Sequence, residues 1–228
     1  MRGVWYTPNM RSLVRAGATL LVTVTAFCAC SSSKPAASSI STSTTTSKPT
    51  VSSAPVSFAE LAARIVTKVP AGFVVQPFNV GDTGPSDLAK AIRDDGARDA
   101  AVVFRTEGFV RGYQQLWSGP QQAQIIVFLY QFKSAAGARK DYLRGTRGSD
   151  AKAPRGAHKF AVPGLPAGQA VGAAGIATDG AAAIVEFSTG VFDVQIVCNG
   201  PKVSSAVKTL QARVTSIAED QFSRLTVA

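Results

Sequence analysis

Residues 123–132 read AQIIVFLYQF, and no other stretch limits the fold so strongly. Successive side chains of a strand point to opposite faces. A run in which Ile125, Ile126, Val127, Phe128 and Leu129 are all apolar therefore needs cover on both sides and predicts a strand inside a sheet. The run before it, Phe109 to Trp117, alternates so that Phe109, Tyr113 and Trp117 share one side. Between the two, Ser118 to Gln122 (SGPQQ) holds a Gly-Pro turn signal, which joins them as a hairpin. The following SAAGARKDYL predicts a helix with Ser134 as N-cap. Phe109 to Leu143 thus carries the organising element of a single domain, and nothing in it is overtly chemical.

The rest of the folded region reads outward from this centre. Phe58, Leu61, Ala62, Ile65 and Val69 fall at helical spacing, ended by Pro70-Ala71-Gly72, and Phe73 to Phe78 alternates like a short strand. Gly84-Pro85-Ser86-Asp87 is read as the start of a helix through Leu88 and Ile92, broken at Gly96 and resumed over Ala97 to Phe104. Adjacent Asp94 and Asp95 point to different helix faces, so they read as a solvated cap or turn. Gly145 to Gly156 reads as a Gly- and charge-rich loop, and Phe160 to Pro166 as an extended segment. Gln169 to Ile176, Ala181 to Ser188 and Val191 to Cys198 are strand candidates with a turn at Gly190. In the last of them Phe192, Val194, Ile196 and Cys198 face one way and Asp193 and Gln195 the other, the pattern of a half-buried strand. Val203, Val207, Leu210, Val214, Ile217 and Leu225 make an amphipathic terminal helix able to cover the sheet. The expected class is α+β: an antiparallel sheet flanked by helices, in one domain over residues 58–228.

The first 57 residues are of another kind. Arg11 and Arg15 precede an uncharged run, Ala16 to Ala29, that is shorter than the about 20 apolar residues of a spanning helix, which predicts an export signal over residues 1–29. Met10 with RSLVR after it makes a more ordinary signal start than Met1 to Asn9, so either methionine can begin the chain. Phe27-Cys28-Ala29-Cys30 before three serines resembles a bacterial lipobox, in which a cysteine behind small residues receives a diacylglycerol thioether. Cys30 is the lipid-attachment candidate, because Ala29 precedes it whereas bulky Phe27 precedes Cys28. Phe27 and Cys28, three and two before the cut, depart from the family's pattern, and a plain secretory signal with incidental cysteines is the other reading. In residues 31–57, 16 of 27 are Ser or Thr. So few large apolar side chains cannot offset the entropy of ordering, and residues 30–57 read as a lipidated cysteine followed by a disordered tether, open to O-glycosylation.

A family resemblance rests on the order of several pieces: LAARIVTKVPAGFVVQP, GDTGPSDLAKAIRDDG, GFVRGYQQLW, VFLYQFKSAAGARKDYL and FAVPGLPAG, then a strand pair and a terminal helix, all behind the lipobox. In that order they resemble actinobacterial, mycobacterial-type cell-envelope lipoproteins across most of Phe58 to Ala228. The resemblance implies a PsbP-like α+β sandwich with a curved antiparallel sheet flanked by helices, and placement on the extracytoplasmic face of the cell membrane. It brings no catalytic residue with it.

The chemistry legible in the residues is sparse. His158 is the single histidine, and no P-loop, dinucleotide fingerprint or Gly-x-Ser-x-Gly occurs, so neither a cofactor nor a metal is expected. Cys198, His158 and Asp193 would be the best nucleophilic triad, but strand alternation separates Cys198 from Asp193, which leaves Cys198 as a buried apolar thiol without a disulfide partner. Glu107, Glu186 and Asp193 are the scattered carboxylates that an enzyme acting on cell-wall material would have to gather. Of the 24 basic residues against 14 acidic ones, Lys133 to Lys159 holds eight against two. Within it Arg139, Lys140, Arg144, Arg147, Lys152 and Arg155 are the candidate surface for an anionic lipid or acidic cell-wall polymer, with a merely solvated loop as the alternative. Nucleic acid is disfavoured by export and by the lack of interleaved aromatics. The expected function is a non-enzymatic, membrane-anchored binder of an envelope lipid, glycolipid, cell-wall component or protein; the competing expectations are a cell-wall hydrolase or transferase and an assembly partner without a small ligand.

Overall fold

The computed structural model describes residues 54–81, 83–152, 157–176 and 180–226, with the side chains of 147–152 excluded. The expected signal, the lipid-attachment candidate Cys30 and most of the expected tether lie outside the described residues. Five helices and eight strands follow one another as α1 (Phe58–Arg64), β1 (Val74–Val75), β2 (Gly84–Ser86), α2 (Leu88–Asp95), α3 (Ala100–Glu107), β3 (Phe109–Ser118), β4 (Gln124–Phe132), α4 (Ala135–Lys152), β5 (His158–Phe160), β6 (Ala170–Ile176), β7 (Ala181–Thr189), β8 (Phe192–Gly200) and α5 (Ser204–Thr226). The strands form an open antiparallel sheet in the order β1-β3-β4-β8-β7-β6-β5, with β2 also paired to β3. The class is α+β, as the sequence implies.

β4 lies inside the sheet between β3 and β8, and its two apolar faces enter two separate cores. Ile125, Val127 and Leu129 pack with Trp117, with Val194, Ile196 and Cys198 of β8, with Leu61 of α1 and with Leu210, Val214 and Ile217 of α5. Ile126, Phe128, Tyr130 and Phe132 pack on the other side with Leu116, Ala91 of α2, Phe104 of α3 and Ala138 of α4. Helices therefore cover both faces of the sheet, α1 and α5 on one and α2, α3 and α4 on the other.

Four local expectations give way to tertiary contacts. A register shift in β3 between Phe109 and Arg111 turns Phe109 to the face opposite Tyr113 and Trp117. There Phe109 meets Phe104, Tyr130 and Phe132 at centroid distances of 5.3, 5.3 and 5.9 Å. Helix α1 stops at Arg64 rather than near Val69. The carboxamide of buried Gln221 in α5 accepts from the Val66 amide at 2.8 Å and donates to the Arg64 carbonyl at 2.9 Å, holding the chain extended there. Gly84 to Ser86 pairs with β3 as a strand, so the helix begins only after Asp87, which caps it by accepting from the Lys90 amide at 2.8 Å. The expected loop from Gly145 instead continues α4 to Lys152.

Gly137 in α4 is a packing device. It costs about 1 kcal/mol of helix propensity against alanine. A Cβ at Gly137, however, would run into the Glu107 carbonyl oxygen at the end of α3. Ser134 caps α4 as expected, its hydroxyl accepting from the Gly137 amide at 3.1 Å. Gly137→Ala should therefore lower the unfolding free energy by about 1–3 kcal/mol in a urea titration, despite its gain in helix propensity. An unchanged or higher midpoint would show that α3 and α4 do not approach so closely.

Candidate functional site

Of the predicted basic surface, the described side chains are those of Arg139, Lys140 and Arg144. Lys140 is exposed on α4, and the guanidinium of half-buried Arg139 lies over the Tyr142 ring at 5.1 Å. Arg144 turns inward. Its guanidinium donates to the two Asp95 carboxylate oxygens at 2.6 and 3.4 Å, reaches Asp141 at 3.5 Å and Asp99 at 3.6 Å, and lies over Phe104 at 5.5 Å. The side chains of Arg147 and Lys152 and the whole of Arg155 lie outside the described residues, as does Cys30.

Arg144 is thus a tie between α2, α3 and α4 rather than part of an anion-binding face. The same contacts correct the reading of Asp94 and Asp95 as solvated. Both are buried, Asp94 against Lys90 at 2.8 Å and Asp95 against Arg144. Removing one partner of a buried pair costs about 3–5 kcal/mol. Arg144→Met should destabilise the domain by roughly that amount in urea, and Lys140→Gln by no more than about 0.5 kcal/mol. Equal effects would contradict the inward placement.

A second group of polar residues forms a buried floor beneath α4. β7 and β8 pair across the turn at Gly190, which sets Glu186 opposite Gln195 and Ser188 opposite Asp193. All four are buried, at 2, 1, 5 and 0 % exposure, so β8 is covered on both faces rather than half-buried. Tyr130 of β4 is the next cross-strand neighbour of Asp193. Burial, reinforced by the charges of Glu186 and Asp193 and opposed by Arg139, raises the Tyr142 hydroxyl above its ordinary range. Two carboxylates and a protonated phenol are a set that could exchange protons, but α4 packs over them. The pairing was readable in advance, because a two-sided hairpin about Gly190 places 186 against 195. What periodicity could not show is that a helix covers this face.

The triad considered for Cys198 is not assembled. Cys198 is a free thiol in the core shared with α5, Asp193 is on the opposite face, and His158 is exposed at the β5 edge, 2.9 Å from the Gln211 carboxamide. Glu107 lies apart at the end of α3. Burial pushes the Cys198 thiol up to about 12. A folded value above the unfolded one means that its stabilising effect is complete below pH 9 and is lost as pH rises toward 12. Stability should fall over that range, less steeply in Cys198→Val, and iodoacetamide should label Cys198 only after denaturant is added. Rapid labelling of the native domain would contradict its burial.

The end of the sheet where the chain enters is built most specifically. Gln131 is fully buried, and its carboxamide grips the arriving backbone by accepting from the Val56 amide at 3.1 Å and donating to the Ala54 carbonyl at 3.2 Å. Arg111, directly opposite Gln131 on β3, lies over the Phe58 ring at 5.2 Å. Phe192, opposite Gln131 on β8, lies under the Arg64 guanidinium at 5.4 Å. Ser57 then starts α1 with a capping box in which its amide donates to the Glu60 carboxylate, which holds that group below its usual range.

Among the described residues no cluster of His, Cys, Asp or Glu could hold a metal ion, and no helix is long and apolar enough to cross a membrane. No family model and no curated protein matches the chain. Among solved structures it is similar to the extracellular domain of PknH from Mycobacterium tuberculosis, at 12% identity and a TM-score of 0.41 over 73% of this chain and 98% of that one. At that distance the similarity transfers neither a site nor a function.

Proposed function

We propose that this chain is an extracytoplasmic binding domain, tethered to the outer face of the cell membrane by a lipid on Cys30 and recognising an envelope component without catalysing its conversion. The observation that carries the reading is the junction between tether and domain. A signal ending in Ala29-Cys30 and a Ser/Thr-rich stretch lead to residues 54–57, where the Gln131 clamp and the Ser57 capping box begin the folded region. A diacylated cysteine holds a protein stably at a bilayer, which one acyl chain does not. Its ligand class is a lipid, a glycolipid, an acidic cell-wall polymer or a protein.

The enzymatic alternative draws on Glu186, Asp193 and Tyr142. Their burial beneath α4 favours a structural role, because a substrate would reach the two carboxylates only if the helix moved. Metabolic labelling of the native host with an alkyne palmitate tests the anchor. The full chain should incorporate label into the membrane fraction, Cys30→Ala should lose it, and Cys28→Ala should keep it. Undiminished labelling in Cys30→Ala would overturn the assignment.

A further inference from the structure

We infer that the Gln131 end of the domain faces the bilayer and rests on anionic lipid headgroups through Arg64, Arg105, Arg111, Lys133, Arg139 and Lys140. This rests on the proposed lipid anchor for orientation but not for the charge pattern itself. Strand register, ring contacts and the ends of neighbouring helices place the six residues at one end. Arg111 pairs with Gln131, and Arg64 lies over Phe192, the next residue across the sheet. Arg105 precedes the Gly108 turn into β3, and the Lys133 amide donates to the Gly108 carbonyl at 2.8 Å. Arg139 and Lys140 lie within the first two turns of α4, which starts three residues after β4 ends. Arg105, Lys133 and Lys140 are exposed. Arg64, Arg111 and Arg139 are half-buried, each with its guanidinium over an aromatic ring, which fixes the position of its charge.

The other end of the same strands has a different character. Between Phe109 and Phe132 the single charged residue is Arg111, and Val69 to Gly81 carries none. The β1 region at that far end exposes Val74, Val75, Phe78 and Val80 at 66, 52, 63 and 43 %. Six basic side chains thus gather where the chain enters, whereas the far end combines an exposed apolar patch with Lys202 and Lys208. The tether selects which end meets the membrane, because it is clamped at Gln131. If the 23 residues between Cys30 and Ala54 act as the flexible tether their composition suggests, they would span roughly 26 Å and keep the clamped end near the surface. Anionic headgroups attract basic side chains within a Debye length of about 8 Å. Acidic residues at this end include exposed Glu60, whose carboxylate accepts from the Ser57 amide, and half-buried Glu107 at the end of α3.

The test uses the mature chain as Cys30→Ser, which carries no lipid, so that it reads surface contact independently of acylation. Sedimentation with vesicles of phosphatidylcholine, with and without 30 mol% phosphatidylglycerol (on the order of a bacterial leaflet's anionic content), gives the partition coefficient at low salt. Expected is binding to the anionic vesicles alone, abolished by high salt. Each basic residue at the surface contributes about fivefold, so Arg105→Glu/Lys133→Glu/Lys140→Glu should lose about a hundredfold or more. Lys202→Glu/Lys208→Glu on the opposite end should lose no more than about threefold, the long-range effect of net charge. Should the triple variant melt early, Lys140→Glu alone should still lose at least about fivefold. Equal losses in both variants, equal binding to neutral vesicles, or binding to soluble polyphosphate without binding to anionic vesicles would each overturn the inference. A failure of palmitate labelling with this result intact would remove the anchor and leave the lipid-facing surface.

Discussion

The two-sided burial of β4 is the constraint from which the rest of the structure follows. Each large aliphatic or aromatic side chain moved out of water contributes about 1.5–3 kcal/mol, and β4 places such residues on both faces. One face alone could be covered by α5, as in a simple two-layer domain. The second face requires another layer, which α2, α3 and α4 supply. With helices on both sides the sheet has no solvated face at its centre, and polar residues on β7 and β8 become buried although their own strands alternate in the manner of a half-exposed sheet.

Buried polar groups elsewhere in the domain meet specific partners. Arg144 joins α2, α3 and α4 through Asp95, Asp99 and Asp141. Two buried glutamines do comparable work on the backbone. Gln221 ends α1 by holding Arg64 and Val66, and Gln131 holds Ala54 and Val56 where the chain arrives. A carboxamide supplies one donor and one acceptor, so it can pair with an extended segment as a neighbouring strand would. The glutamine at 131 thereby fixes where the chain enters the domain, and the stacked arginines Arg64 and Arg111 lie beside it.

What was legible in the sequence divides along physical lines. Periodicity revealed β4, the hairpin around Gly119-Pro120, the Ser134 cap, the α5 stripe and the opposite orientations of Cys198 and Asp193, because these depend on short-range spacing and on turn chemistry. It did not reveal that Asp94, Asp95, Glu186 and Asp193 are buried, since their cover comes from elements distant in the chain. It placed a loop from Gly145 because local propensity favours one there, whereas α4 continues to Lys152. It placed Phe109 on the wrong face because a single-residue register shift inverts the alternation. The basic segment was visible as charge, but charge alone could not show that Arg144 points inward or that Arg64, Arg105 and Arg111 join Lys133, Arg139 and Lys140 at one end.

The central claim is that β4 is the common wall of two cores and therefore the most stable part of the sheet. Native-state hydrogen exchange of the folded chain tests it most directly. The account predicts that amides of Ile125 to Tyr130 and Val194 to Val197 exchange only through global unfolding, with a full denaturant dependence, while those of β1 and β5 exchange through local opening. Exchange of the β4 amides as fast as those of the edge strands would contradict it.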